Sequence, residues 1–124
     1  MNQYQQYIAL SRYARWIPEL NRRETWKETV DRYMQNVVSD KVSKDTYKQL
    51  EDAIYNLNVM PSMRAMMTAG QAMERDNTCA YNCSYLAVDD PKCFDEAMFI
   101  LLCGTGVGFS VERQYISKLP EVPD

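Results

Sequence analysis

Apolar residues recur at helical spacing through the first half of the chain. Trp26, Val30, Tyr33, Met34, Val37 and Val38 fall on one stripe, and Asn21 with Glu24 after it has the form of a capping box at its start. A second helix is predicted from Ser43, carrying Tyr47, Leu50, Ile54 and Leu57 on one side until Pro61 ends the pattern. The stretch from Tyr4 to Trp16 also reads as helical, stopped by Pro18. From Pro61 to Asn77 methionine, alanine and small polar residues dominate around a turn-like Thr68-Ala69-Gly70, which predicts a structured loop with a short helix. Residues 1–60 therefore form a helical region whose apolar faces require something to pack against.

The period then shortens to two. Tyr81, Cys83, Tyr85 and Ala87 alternate with Asn82, Ser84, Leu86 and Val88, so a strand here presents the first set on one face and the second on the other. Asp90 is placed as an N-cap with Pro91 at the first helical position, and Asp95 and Glu96 lie early in the helix, where its dipole favours them. Phe94, Ala97, Met98, Leu101 and Leu102 are expected on its buried stripe, with Gly104 as the stop. A second strand over Val107 to Val111 completes the strand, helix, strand order of a parallel pair with a covering helix, which makes the fold class α/β. Residues 61–124 form this second region; their tail, Lys118 to Asp124, has two prolines and no closing element, and two strands do not finish a sheet.

Composition narrows the function. The chain has 124 residues, 46% of them hydrophobic and 25% charged, which bounds it to one modest domain or a piece of a larger one. A net charge of −3 with scattered Lys and Arg offers no nucleic-acid footprint. No apolar run approaches the roughly 20 residues of a membrane span, and Met1-Asn2-Gln3-Tyr4 lacks the basic and apolar regions of a signal peptide, so a soluble cytoplasmic protein is expected. In that compartment Cys79, Cys83, Cys93 and Cys103 are free, metal-bound or catalytic rather than a disulfide framework. Zinc is disfavoured, since there is no C-x2-C pair and no histidine, and no metal site is expected. Cys93 and Cys103, ten residues apart on the predicted helix, do not pair with each other. The glycine run 104–108 follows a helix instead of opening one and lacks Gly-Lys-Ser/Thr, so it is neither a P-loop nor a dinucleotide fingerprint.

Taken jointly, three segments resemble the start of the catalytic chain of a ribonucleotide reductase: Asn58-Val59-Met60-Pro61-Ser62-Met63-Arg64, Asn82-Cys83-Ser84-Tyr85, and Gly104-Thr105-Gly106-Val107-Gly108-Phe109-Ser110. Ser11-Arg12-Tyr13-Ala14-Arg15-Trp16 and Arg22-Arg23-Glu24-Thr25-Trp26 extend the similarity, which is nearest the monomeric adenosylcobalamin-dependent type acting on ribonucleoside triphosphates. The order and spacing carry this; each motif alone is weak. The resemblance implies N-terminal helices followed by the first strands of a ten-stranded α/β barrel, incomplete in this chain. It also implies thiyl-radical reduction of ribonucleoside triphosphates or diphosphates to deoxyribonucleotides, with two cysteines supplying electrons and becoming a disulfide.

Cys83 matches the first of that redox pair; the bland alternative is an inert small hydrophobe. Gly106 matches a backbone position lying against the nucleotide, where the missing Cβ permits approach, and the alternative is helix-end packing. Met60, Ser62 and Asn82 match positions near the ribose and phosphates. A methionine before Pro61, and Asn82 in place of a serine, depart from the iron-dependent relatives and leave Ser62 as the nearby hydroxyl. Asp89, Asp90 and Lys92 match the segment that binds a deoxynucleotide effector, while Asp90 is equally a helix cap. The resemblance implies as partners the ribonucleotide, the effector, an external dithiol reductant such as thioredoxin, and the remaining C-terminal polypeptide, which would hold adenosylcobalamin, the thiyl cysteine and the second redox cysteine. Two alternatives stand beside this: an iron-dependent reductase large subunit, disfavoured because only about 60 residues precede the Met60 loop, and a non-catalytic helical interaction module.

Overall fold

The computed structural model describes residues 1–121, so the last three residues of the predicted open tail lie outside the described residues. The chain divides into two compact units, Met1–Arg75 and Asp76–Asp124.

The first unit is mainly helical. Helix α1 (Gln3–Ile8) starts with a reciprocal capping box between Asn2 and Gln5 and runs on as a wider turn through Ala9–Tyr13. It ends there, short of Trp16: Ala14 is extended, and Trp16–Ile17 (β1) pairs antiparallel with Arg22–Arg23 (β2). Asn21 therefore is not a helix cap. It turns the chain between these two strands at φ 49°, in the left-handed region that asparagine tolerates. The true capping box is Thr25 with Glu28, at the head of α2 (Trp26–Tyr33), and Arg22 grips Glu28 through two hydrogen bonds of 2.8 and 2.9 Å. The Arg22 hydrogen bond is the main reason the Glu28 carboxyl is lowered to about 2.

The predicted apolar stripe is correct in α2 and its continuation Met34–Val38, and in α3 (Lys44–Tyr55, capped by Ser43). Val30, Met34 and Met66 are fully buried and Ile54 nearly so, with Tyr13, Trp26, Tyr47 and Leu50 packed around them. Tyr13 meets Trp26 edge to face, and the indole N–H donates to the Tyr55 carbonyl at 3.0 Å. α3 stops before Pro61: Leu57 takes φ 63°, and the Asn58 N–H bonds back to the Ala53 carbonyl. Two short helices follow, α4 (Met63–Thr68) and α5 (Gln71–Arg75). The break in packing falls after Arg75, while the expected boundary after residue 60 marks the end of the long helices.

Glu24, freed from the capping role, is 7% exposed and joins these pieces. Its carboxylate takes Arg32 Nε at 2.7 Å and Nη2 at 2.9 Å, the Arg15 N–H at 3.1 Å and the Thr29 hydroxyl at 3.1 Å. Arg32 in turn donates to the carbonyls of Tyr13, Met66 and Ala69.

The second unit has strand, helix, strand order: β3 (Cys83–Ala87), α6 (Lys92–Leu102) and β4 (Gly106–Ser110), with a last turn α7 (Arg113–Ile116). The strands pair in parallel with Cys83 opposite Gly106 and Ala87 opposite Ser110, the α/β arrangement expected. Asp90 acts as cap in effect: its carboxylate accepts the Lys92 N–H at 2.8 Å and its carbonyl the Cys93 N–H, although the helix proper begins after Pro91. Gly104 stops α6 at φ 87°, where its own N–H and that of Thr105 close onto Leu101 and Ile100.

The buried stripe of α6 differs from expectation. Cys93 is buried and Ala97 and Ile100 half-buried, whereas Phe94, Met98, Leu101 and Leu102 are all more than half exposed. The helix is apolar nearly all round, so periodicity could not choose the face. Two strands cover one side of such a helix and no more.

Glu24→Ala strands Arg32 among carbonyls without its counter-charge and is expected to cost about 3 kcal/mol in urea unfolding followed by tryptophan fluorescence; both tryptophans lie in the first unit. Burial pushes the Glu24 carboxyl up, but Arg32, the Arg15 N–H and Thr29 together bring it below its ordinary value. A lowered carboxylate stabilises the fold fully above its unfolded pKa, and that contribution is lost as pH falls through the folded value. The wild type should weaken on that acid limb and Glu24→Gln should not show this component. In the second unit, the bare faces of α6 should make the 124-residue chain self-associate and bind a hydrophobic dye; a monodisperse, dye-negative chain in sedimentation would contradict this.

Candidate active-site segment around Cys83

Cys83 opens β3 and is exposed, with its thiol free. The period of two puts Tyr85, also exposed, on its face, while the opposite face turns Leu86 toward α6. Asn82 Nδ2 lies 3.5 Å from Cys83 Sγ, and the Asn82 carbonyl accepts the Gly106 N–H at 3.1 Å. A Cβ added to Gly106 would meet that carbonyl oxygen at 3.3 Å, so the glycine is what lets β4 close on the cysteine's neighbour without displacing backbone. Ser84, unremarked in the sequence, donates its hydroxyl to the Gly106 carbonyl at 3.0 Å and locks the same junction. Asn82, Cys83 and Gly106 are thus brought together, and the thiol stands on a hydrogen-bonded strand with an open approach.

Asp89, Asp90 and Lys92 cluster at the other end of β3, in the turn to α6. Asp89 pairs with Lys118 at 3.4 Å, and the Asp90 carboxylate is occupied by the Lys92 backbone, leaving the Lys92 side chain exposed. Met60 and Ser62 belong to the first unit. Met60 is 45% exposed beside a cavity of about 280 Å3 that Tyr13, Trp26 and Leu57 also line, and Ser62 caps α4 through the Ala65 N–H. Ser62 is therefore occupied in part by its own helix.

The remaining cysteines have other surroundings. Cys93 is 6% exposed under the sheet. Cys103 lies 3.8 Å from an Asp76 carboxylate oxygen, and burial first, then that negative charge, push its thiol pKa up, away from the reactive thiolate. The turn Asn77–Ala80 carrying Cys79 is pinned by the Thr105 hydroxyl, which donates to the Thr78 carbonyl at 2.6 Å. Among the described residues no group of three or more Cys, Asp or Glu is arranged to hold a metal ion, and no helix is long and apolar enough to cross a membrane.

No protein-family profile matches the chain. Over 89% of its length it is 31% identical to the adenosylcobalamin-dependent ribonucleoside-triphosphate reductase of Lactobacillus leichmannii, of which it spans 20%. The same enzyme of Lactobacillus helveticus (strain DPC 4571) is 27% identical, again over 89% of this chain and 19% of the relative. A crystal structure of a B12-dependent (class II) ribonucleotide reductase superposes with a TM-score of 0.76, at 27% identity over 94% of this chain and 21% of that one. The chain is homologous to part of the adenosylcobalamin-dependent ribonucleotide reductases. It spans about a fifth of the length of these curated relatives, which are oxidoreductases that depend on adenosylcobalamin. The mixed helices and small sheets described above are thus a segment of the class II reductase fold.

A thiol reagent tests the local geometry of this reductase segment directly. In the folded chain Cys83 should be alkylated by iodoacetamide well ahead of Cys93, with Cys103 also slow, as read by mass mapping over time. Equal rates at all four positions would contradict the placement.

Proposed function

We propose that this chain is the N-terminal portion of a ribonucleotide reductase catalytic chain and contributes one electron-donating thiol, Cys83, to reduction of ribonucleoside triphosphates, or diphosphates, to deoxyribonucleotides. The observation that carries the reading is the junction of Cys83 with Gly106: an exposed thiol on a rigid strand, with a Cβ-less backbone beside it where a nucleotide can lie. In the reaction the ribose 2′-hydroxyl leaves as water. Two electrons and the protons come from Cys83 and a second cysteine of the remaining polypeptide, which join as a disulfide; an external dithiol such as thioredoxin then restores both thiols. The initiating thiyl belongs to that remaining polypeptide.

Met60, Ser62, Asn82 and Gly106 are assigned to the substrate, and Asp89, Asp90 and Lys92 to a deoxynucleotide effector. The parallel pair β3 and β4 is read as the first part of a ten-stranded α/β barrel completed by the remaining polypeptide. The enzyme would work in the cytoplasm, supplying DNA replication. Adenosylcobalamin would supply the radical. It would be held mainly by the remaining polypeptide, since the cavities beside the segments described here, about 280 and 450 Å3, lie at the small end of those that take even drug-sized ligands. This chain's own part is to present the thiol and the backbone around it.

Alone, the 124-residue chain should form no deoxynucleotide, and activity should appear only with the remaining reductase polypeptide and adenosylcobalamin. Turnover by the chain alone would overturn this, and stoichiometric binding without activity would favour the interaction-module reading. In the assembled enzyme Cys83→Ser should abolish multiple turnover with excess dithiol while leaving the fold intact. Serine at Cys79, Cys93 or Cys103 should cost only packing, on the order of 1 kcal/mol where buried. Mass mapping after one turnover without reductant should find Cys83 oxidised.

A further inference from the structure

The segment Met60–Ser62 is suspended between two supports. On one side the Asn58 and Val59 N–H groups bond to the Ala53 carbonyl near the end of α3. On the other, Ser62 leads directly into α4, only six residues long, so the position of α4 sets where the segment points.

Two guanidinium groups hold the C-terminal end of α4. Arg32 Nη1 donates to the carbonyls of Met66 at 2.7 Å and Ala69 at 3.0 Å, and Arg15 Nε donates to that of Met67 at 2.9 Å. These are the C-terminal carbonyls of the helix, left without partners by its ending and carrying the negative end of its dipole. Arg32 is held from behind by both oxygens of Glu24, which also takes the Arg15 N–H. The side chains of Arg32 and Glu24 are only 14% and 9% exposed. The ion pair between Glu24, which precedes α2, and Arg32 on α2 therefore anchors α4 at its C-terminal end, and Met66 is sealed into the core beneath it.

We propose that Glu24 and Arg32 are positioning residues for nucleotide binding: without touching substrate, they set the Met60–Ser62 segment through α4. The inference rests on the assignment of that segment to the substrate. It adds a specificity of cause, because the clamp requires a planar fork and a buried carboxylate, and neither lysine nor glutamine reproduces it.

The test uses the complete reductase with a ribonucleoside triphosphate as probe. Glu24→Gln and Arg32→Lys, which keep the side-chain size, are compared with Ile54→Val, which trims the same core without removing a clamp hydrogen bond. The clamp variants should raise KM about tenfold with kcat changed by less than about twofold, the pattern of lost uniform binding. Ile54→Val should leave both unchanged, and melting temperatures show how much of any effect is stability alone. Amide hydrogen exchange of the peptide spanning 57–66 is read with and without the triphosphate. Protection by substrate in the wild type that is lost in both clamp variants supports the proposal. Protection retained in the variants, or a KM rise shared by Ile54→Val, overturns it while leaving the segment's assignment standing. Absence of protection in the wild type removes that assignment, and the proposal with it.

Discussion

A carboxylate and a guanidinium that are both almost out of water organise the first unit. Burying such a pair is expensive, and it is tolerated because its hydrogen-bonding groups are well used: Glu24 takes hydrogen bonds from Arg32, Arg15 and Thr29, and Arg32 reaches three carbonyls, that of Tyr13 and two at the end of α4. The turn after Tyr13, helix α2 and the end of α4 are short pieces that could not hold their relative places by propensity alone. The apolar cluster of Val30, Met34, Ile54 and Met66 provides the general attraction, and the ion pair supplies direction.

The second unit depends on a different constraint, the register of two parallel strands. Cys83 opposite Gly106 sets which residues meet at the start of the strand pair, and the Ser84 and Asn82 contacts to Gly106 keep that register from slipping. The same register carries β3 to its other end, where the Asp90 backbone and carboxylate begin α6. One side of α6 is satisfied by this pair and the rest is apolar and open. A helix of that kind is built to be enclosed.

Much of this was legible in the residues before any fold was known. Helical (3.6-residue) and two-residue patterns located α2, α3, α6 and both strands, because side-chain direction repeats with backbone geometry and needs no tertiary information. Gly104 as a helix stop followed from the same local rules. The joint spacing of the Met60, Cys83 and Gly106 motifs pointed to the reductases, and the comparisons agree. Cap chemistry was read less well. Asn21 and Glu24 satisfy the capping pattern on paper, yet Thr25 and Glu28 satisfy it too, and the choice was made by where Arg22 and Arg32 lie.

What only the tertiary structure decided are the relations between segments distant in sequence. Glu24 looked like a helix-cap residue, and its burial against Arg32 became visible only when α4 had been folded over α2. The face of α6 was likewise undetermined by its sequence, since a helix apolar on nearly every side has no preferred stripe until a sheet is laid against it, here on Cys93, Ala97 and Ile100. The sequence alone determined most of which segments are helix and strand and that Cys83 would share one strand face with Tyr85, because those follow from local geometry, whereas the exposure of that thiol came from the structure. Which charges are buried, and which glycine must yield to which carbonyl, depend on contacts between distant segments, which no local pattern encodes.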